Sequence, residues 1–139
     1  MKKNVPVKTI MTTHMVKLNL NDELSKAEML FRKHKIRHIP VVSGSKIVGM
    51  LSLTDLLRIS FVDSAFDDDD IVDTVVYDMF NISQVMTKKV VCISEDTTIK
   101  EAAEILASKE FHALPVKKGE DLIGIVTTTD LIKYLLDQY

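Results

Sequence analysis

The feature that most constrains this chain is an internal repeat held at a single offset. Met11-Thr12 returns as Met86-Thr87, Ala27 as Ala102, Pro40-Val41 as Pro115-Val116 and Gly44 as Gly119. Gly49 returns as Gly124, and Thr54-Asp55-Leu56 as Thr129-Asp130-Leu131, every pair 75 residues apart. Conservative pairs fill the spaces: Leu24 with Ile99, Ile39 with Leu114, Val48 with Ile123 and Ser52 with Thr127. One gapless register across both halves marks a duplication. Whatever one half folds into, the other folds into as well.

The two copies together give the elements. Residues 16–18 and 90–93 are short β-prone runs. A helix follows each. Thr98 and Glu101 have the spacing of a capping box, and Ile99, Ala102, Ala103 and Leu106 continue at helical period. In the first copy Asn21 or Asp22 is the expected cap, and Leu24, Ala27 and Leu30 or Phe31 line the matching face. Two strands come next, over 36–42 and 47–52, joined by a turn at Ser43-Gly44-Ser45; the second copy has 114–117 and 122–127, joined at Lys118-Gly119-Glu120. A last helix opens at Thr54-Asp55 and at Thr129-Asp130, with Leu131, Leu135 and Tyr134 as its apolar side in the second copy. The reading is α+β, two β-α-β-β-α repeats over 5–62 and 82–139, separated by an acidic linker over 63–81. One repeat is too small to bury both faces of its sheet, so the two are expected to pack as one globule.

Composition narrows the function classes. Hydrophobic residues are 46% of the 139, enough for a packed core, and 18 basic against 20 acidic side chains leave a net charge of −2. Such balance gives no sequence-independent pull toward nucleic acid. No apolar run approaches a membrane span, and the opening residues lack a signal-peptide core. A soluble, cytoplasmic protein without membrane or nucleic-acid partners is expected. The single cysteine, Cys92, rules out an internal disulfide and reads as core filler in a strand. Asp67 to Asp70 read as a solvated loop rather than a cation site, and the Ile/Val/Tyr stretch at 71–77 as a segment that docks on the body or a partner.

Two constellations can carry binding chemistry. The first is the strand-to-helix corner, Ser52, Thr54 and Asp55 in one copy and Thr127, Thr129 and Asp130 in the other. Hydroxyls beside the open N–H groups of a helix favour an anion. The aspartate repels a phosphate but suits a vicinal diol such as a ribose. The bland alternative is that Thr54 and Thr129 are N-caps and each aspartate meets the helix dipole. Spacing alone leaves both readings open. The second constellation is Arg37, His38 and Pro40, paralleled by His112, Ala113 and Pro115. Arg37 aligns with His112 and His38 with Ala113, so the phosphate affinity of the two copies is expected to differ. His34 and His38 are four apart, but the strand from Ile36 turns the rings away from each other, and no metal site is expected. No Walker loop, no G-x-S-x-G, no G-x-G-x-x-G and no C-x-x-C occurs in the sequence.

In this order, and occurring twice, these elements resemble the CBS (cystathionine β-synthase-type) domain pair. The resemblance runs through Ile10-Met11-Thr12 and Val85-Met86-Thr87, the helices with Ala27 and Ala102, residues 37–41 and 112–116, and the Gly-x-x-Ser/Thr-x-x-Asp closings at 49–55 and 124–130. It implies a pseudo-two-fold pair with two clefts that take AMP, ATP or another adenosyl compound as a regulatory ligand, not a catalytic cofactor. Carried across, Ser52, Thr54, Asp55, Thr127, Thr129 and Asp130 would meet ribose or phosphate, and Arg37, His38 and His112 the phosphates, with Pro40 and Pro115 also among the ligand-binding residues. Residues near Lys17 and Cys92 would hold the adenine, and the better site would join Arg37 and His38 with Thr127 and Asp130. The resemblance also implies no enzyme activity, a homodimer, and a protein effector that receives the signal. A structural interaction module without a ligand is the alternative. A nucleotide hydrolase built on Asp67 to Asp70 is a remote third.

Overall fold

The computed structural model describes residues 4–63, 77–109 and 112–139. Asp67 to Asp70, residues 71–76 and Phe111 lie outside the described residues. The chain is mixed α+β and divides into two compact units: Val16–Val90, and Val91–Tyr139 together with the segment that ends at Met15. The openings of the two sequence copies are thus exchanged. Residues 4–15 pack with the body of the second copy, and residues 82–90 with the body of the first.

In the first unit, strand β1 (Leu18–Asn19) leads to helix α1 (Leu24–His34), strands β2 (His38–Ser43) and β3 (Lys46–Ser52), helix α2 (Leu53–Asp63) and the short helix α3 (Ile82–Val85). β1 runs parallel to β2, because α1 carries the chain back between them, and β2 pairs with β3 as an antiparallel hairpin. Gly44 takes φ +65° in the hairpin turn, a conformation without penalty only for glycine. The core gathers Leu18, Leu24, Ala27, Phe31, Ile39, Val41, Leu51, Leu56 and Ile82. Tyr77 also joins it, so the one described residue of the 71–77 stretch docks on the body as expected.

The second unit repeats the plan. A 3-10 turn at Val7–Thr9 precedes β4 (Ile93–Ser94), α4 (Ile99–Ser108), β5 (Ala113–Lys118), β6 (Asp121–Thr127) and α5 (Thr128–Asp137). β4 is parallel to β5 and β5 antiparallel to β6. Its core contains Val7, Ile93, Ile99, Ala102, Leu106, Leu114, Val116 and Val126. Even the irregularity is duplicated: the hairpin register shifts between Val41 and Val42, and again between Val116 and Lys117.

Several sequence expectations are adjusted. β1 and β4 are two residues each and lie later than expected, because only Leu18 and Asn19 face β2, and only Ile93 and Ser94 face β5. Neither Asn21 nor Asp22 caps α1. Glu23 occupies the N-cap without a side-chain bond, and the Asp22 carboxylate instead accepts from the Asn19 N–H at 2.8 Å and meets the Lys26 ammonium at 3.1 Å. The Thr98–Glu101 capping box forms as expected. On α5, Leu131 and Tyr134 pack against the core, while Leu135 stays 44% exposed, with Ile132 and Leu136 more so. The helix turns the line between 131 and 134 inward, and Leu135 falls to its side.

The exchanged openings are pinned in the same way in both units. Val7 and Ile82, one repeat offset apart, are fully buried. The Thr12 N–H and C=O bond Ile125 at 2.9 and 3.0 Å, and Thr87 bonds Met50 at 2.9 and 3.0 Å. Between these anchors the thioether of Met11 covers Gly124 and that of Met86 covers Gly49. A Cβ built on Gly124 would lie 2.7 Å from the Met11 sulfur, and one on Gly49 nearer still to that of Met86. The recurring glycines therefore answer the recurring methionines. Gly124→Ala and Gly49→Ala should each destabilise the fold by about 1–3 kcal/mol through overpacking. Combining Gly49→Ala with Met86→Ala should recover part of that loss. Urea titrations of the single and double variants measure both.

Candidate functional site

Each unit brings its closing motif to a corner where a strand passes directly into a helix. In the second unit β6 ends at Thr127 and α5 starts at Thr128. Thr127 is the N-cap: its hydroxyl accepts from the Asp130 N–H at 3.2 Å, and Asp130 Oδ2 accepts from the Thr127 N–H at 2.9 Å. The Thr127 hydroxyl also lies 3.1 Å from Oδ2 as a donor. This reciprocal pair is a capping box with aspartate at the third helical position. The other oxygen, Asp130 Oδ1, accepts from the Thr12 hydroxyl at 3.3 Å.

The first unit has the same corner in different company. Asp55 Oδ2 accepts from the Ser52 N–H at 3.2 Å, and the Ser52 hydroxyl accepts from the Asp55 N–H at 3.0 Å. Asp55 Oδ1 lies 3.7 Å from the Arg58 guanidinium, one turn further along α2. Among the described residues, no bond from Thr87 to Asp55 matches that from Thr12 to Asp130.

The second constellation is built beside these corners. The Leu53 N–H donates to the Arg37 carbonyl at 2.9 Å, and the Thr128 N–H to the His112 carbonyl at 3.1 Å. His38 pairs in register with Ser52, and Ala113 with Thr127. Each unit thus places its own basic residue next to its own hydroxyl: Arg37 and His38 beside Ser52, His112 beside Thr127. Arg37 and His112 are exposed and His38 is half-buried. Pro40 and Pro115 are buried on β2 and β5.

Two sequence expectations change here. Thr54 and Thr129 are not caps. The strands end at Ser52 and Thr127 as expected, but the helices start on the very next residue, so both threonines become exposed second residues of their helices. Thr12 was not anticipated at the corner. Its recurrence in Met11-Thr12 was visible, but the bond spans 118 residues of sequence and no local pattern encodes it.

Among the described residues no group of histidine, cysteine or carboxylate side chains can hold a metal ion. His34 ends α1, Lys35 then takes a left-handed φ of 53°, and His38 opens β2, so the two imidazoles belong to different elements. Cys92 immediately precedes β4, and burial raises its thiol pKa above the usual value, with Lys117 opposing in part. It is a neutral thiol near pH 7. Among the described residues no helix is long and apolar enough to cross a membrane. Each unit presents a half-buried carboxylate fixed by backbone and hydroxyl, with the Arg58 guanidinium 3.7 Å from that of Asp55 in the first unit. Thr127→Ala should cost about 1 kcal/mol by removing the cap, whereas Thr129→Ala should stay within about 0.5 kcal/mol of the parent. Denaturant midpoints of the two variants separate them.

A family model described as the CBS domain matches residues 7–61 and 82–137. The chain is 30% identical over 138 residues to the uncharacterized protein MJ1404 of Methanocaldococcus jannaschii, an alignment that takes in 97% of this chain and 33% of that one. It therefore spans about a third of the length of that relative. Among solved structures, CBSX2 in complex with AMP superposes with a TM-score of 0.80 at 22% identity, covering 96% of this chain and 98% of the other. The CBS domain pair of protein MJ0100, in complex with 5′-methylthioadenosine and S-adenosyl-L-methionine, superposes with a TM-score of 0.78 at 21% identity, covering 99% and 100%. With both copies matched by the same model and the fold shared with these pairs, the chain belongs to the CBS domain family.

Proposed function

We propose that this chain is a regulatory module that binds an adenosyl ligand, with AMP or ATP foremost, and relays its presence to a protein effector or through a homodimer. The observation that carries the proposal is the Asp130 carboxylate, half-buried and oriented by Thr127 at a strand-to-helix corner. A carboxylate held there costs little further order when it accepts ribose hydroxyls. The corner at Ser52, Thr54 and Asp55 offers the same chemistry, with Arg58 already beside the carboxylate. Arg37, His38 and His112 are the proposed phosphate donors, and Thr127 and Thr129 the proposed hydroxyl contacts. Support comes also from the two similar structures, which carry AMP in one case and adenosyl sulfur compounds in the other. Sensing requires that the ligand bind one arrangement of the protein more tightly than another. The exposed apolar side chains of each unit, Leu57 on α2 in one and Ile132 and Leu136 on α5 in the other, are the proposed contacts to a dimer partner or effector.

A second reading has its own observation. The capping boxes account for the hydroxyl and aspartate of each corner without any ligand. A purely structural interaction module would need nothing more. A thermal-shift screen over AMP, ADP, ATP, NAD and S-adenosylmethionine decides between the two. A ligand at 100 times its Kd should add about 2.7 kcal/mol of stability. Asp130→Asn keeps an oxygen for the Thr127 N–H but discards the charge, so it should remain folded and lose that shift. A melting temperature that none of the five compounds moves at millimolar concentration leaves the structural module standing.

A further inference from the structure

The two opening segments are held down unequally, and the repeat offset allows the comparison residue by residue. Over the second unit the strap is bonded to the body along its length. The Val7 N–H donates to the Thr97 carbonyl at 2.7 Å and the Lys8 N–H to the Glu95 carbonyl at 3.2 Å, while the Val5 carbonyl accepts from the Ile99 N–H at 2.8 Å. The Lys8 ammonium adds an ion pair with Asp96 at 3.5 Å, and Val5 packs on the core. Over the first unit only the far end is matched, by Met86 on Gly49 and the Thr87 bonds to Met50. The counterparts of Val5, Val7 and Lys8 are Phe80, Ile82 and Ser83. Among the described residues, no backbone bond joins these to Leu24, Asp22 or Leu20, where the second unit has Ile99, Thr97 and Glu95.

One exchange in the sequence accounts for the difference. Asn81 stands where Pro6 stands in the other copy. Pro6 has no N–H and its φ of −75° keeps the chain extended against Thr98. Asn81 turns its polar groups inward instead. Its Oδ1 accepts from the Gln84 N–H at 3.0 Å and from the Ser83 hydroxyl at 2.7 Å, and its own N–H donates to Gln84 Oε1 at 2.9 Å. The strap over the first unit is thus fastened to itself, whereas the other is fastened to the body. Phe80, in the place of the packed Val5, is 39% exposed. Apolar anchoring does not redress the balance at the centre, since Ile82 and Val7 are both fully buried. We infer that residues 78–87 form a flap that opens locally, hinged in the exposed stretch Asp78 to Asn81 that follows buried Tyr77, while residues 4–12 stay shut. The self-capped turn α3 lifts as a piece and takes Ile82 out of the first core. Weakly fastened elements of this kind are the ones whose equilibrium a ligand or effector can bias. The inference stands apart from the adenosyl-ligand reading, because it fixes which unit opens whatever binds.

Amide hydrogen exchange of the full chain, followed residue by residue by NMR and corrected for intrinsic rates, tests the flap. Thr12 with Ile125 and Thr87 with Met50 are equivalent bridges, each with bonds of 2.9 and 3.0 Å. A difference between them therefore reports strap opening and not the bridge itself. The Thr87 and Met50 amides should exchange at least about tenfold faster than those of Thr12 and Ile125, the effect of the backbone bonds that the first strap lacks. The slowest amides of β2 and β3 should lie at least about tenfold below Thr87 and Met50, because the flap opens while its unit stays folded. A smaller difference between the bridges, or the reverse order, would overturn the inference. So would Thr87 and Met50 exchanging together with the rest of their sheet, since the strap would then open only when the whole unit unfolds.

Discussion

A methionine sulfur occupying the place of a missing β-carbon is the contact on which the rest of this structure depends. Met11 over Gly124 and Met86 over Gly49 decide where each opening segment lies. That placement buries Val7 and Ile82, and it sets the two-bond bridges of Thr12 to Ile125 and of Thr87 to Met50. A thioether suits the task because it is unbranched and fills an irregular gap without demanding a partner. The consequence extends beyond packing. Because the segments are exchanged, residues 4–15 complete the core of the second sequence copy, and residues 82–90 that of the first. Neither copy, cut out of the sequence on its own, contains the residues that close its own unit.

The strand-to-helix corner shows how one set of bonds serves folding and prepares a site. A helix must satisfy its first N–H groups, and a serine or threonine at the N-cap does so at little cost. Placing aspartate three residues later returns a bond to the cap and brings a carboxylate to the mouth of the corner. The carboxylate is then partly spent. Its Oδ2 belongs to the helix, and only Oδ1 is left for anything else. The double duty explains why the sequence could not separate a capping aspartate from a binding one. In this geometry one oxygen of the carboxylate closes the cap and the other is turned away from it.

Much of the fold was legible because duplication supplied two independent readings of each element. The hairpins, the glycine turns, the Thr98 capping box and the apolar faces of α1 and α4 follow from local pattern, and the structure agrees with them. What local pattern misjudged was where elements start. Asp22 has the chemistry of a cap but serves a turn with Asn19. Thr54 and Thr129 have it too, yet Ser52 and Thr127 take the cap, because each helix begins on the residue after its strand ends. Leu135 fits the helical period but not the line along which α5 meets its core. The exchanged openings and the Thr12 bond to Asp130 were not legible at all. Both depend on residues far apart in sequence meeting in space, and a repeat at fixed offset is equally consistent with each opening packing on its own copy.

Duplication also sets a limit on symmetry, because the copies keep one backbone and vary the side chains set on it. At the same places, Arg37 becomes His112, His38 becomes Ala113 and Arg58 becomes Lys133. One corner gains a guanidinium beside its aspartate, and the other gains a threonine hydroxyl. An exposed ion pair such as Asp55 with Arg58 is worth little to stability, but it keeps a cation beside that carboxylate. Asp130 instead has a neutral hydroxyl, held there by a strap fixed through two backbone bonds. Two pockets of equal affinity would respond together and report only total ligand. Corners that share a scaffold but differ in charge and hydrogen-bond capacity are expected to bind unequally, so one can fill while the other stays open.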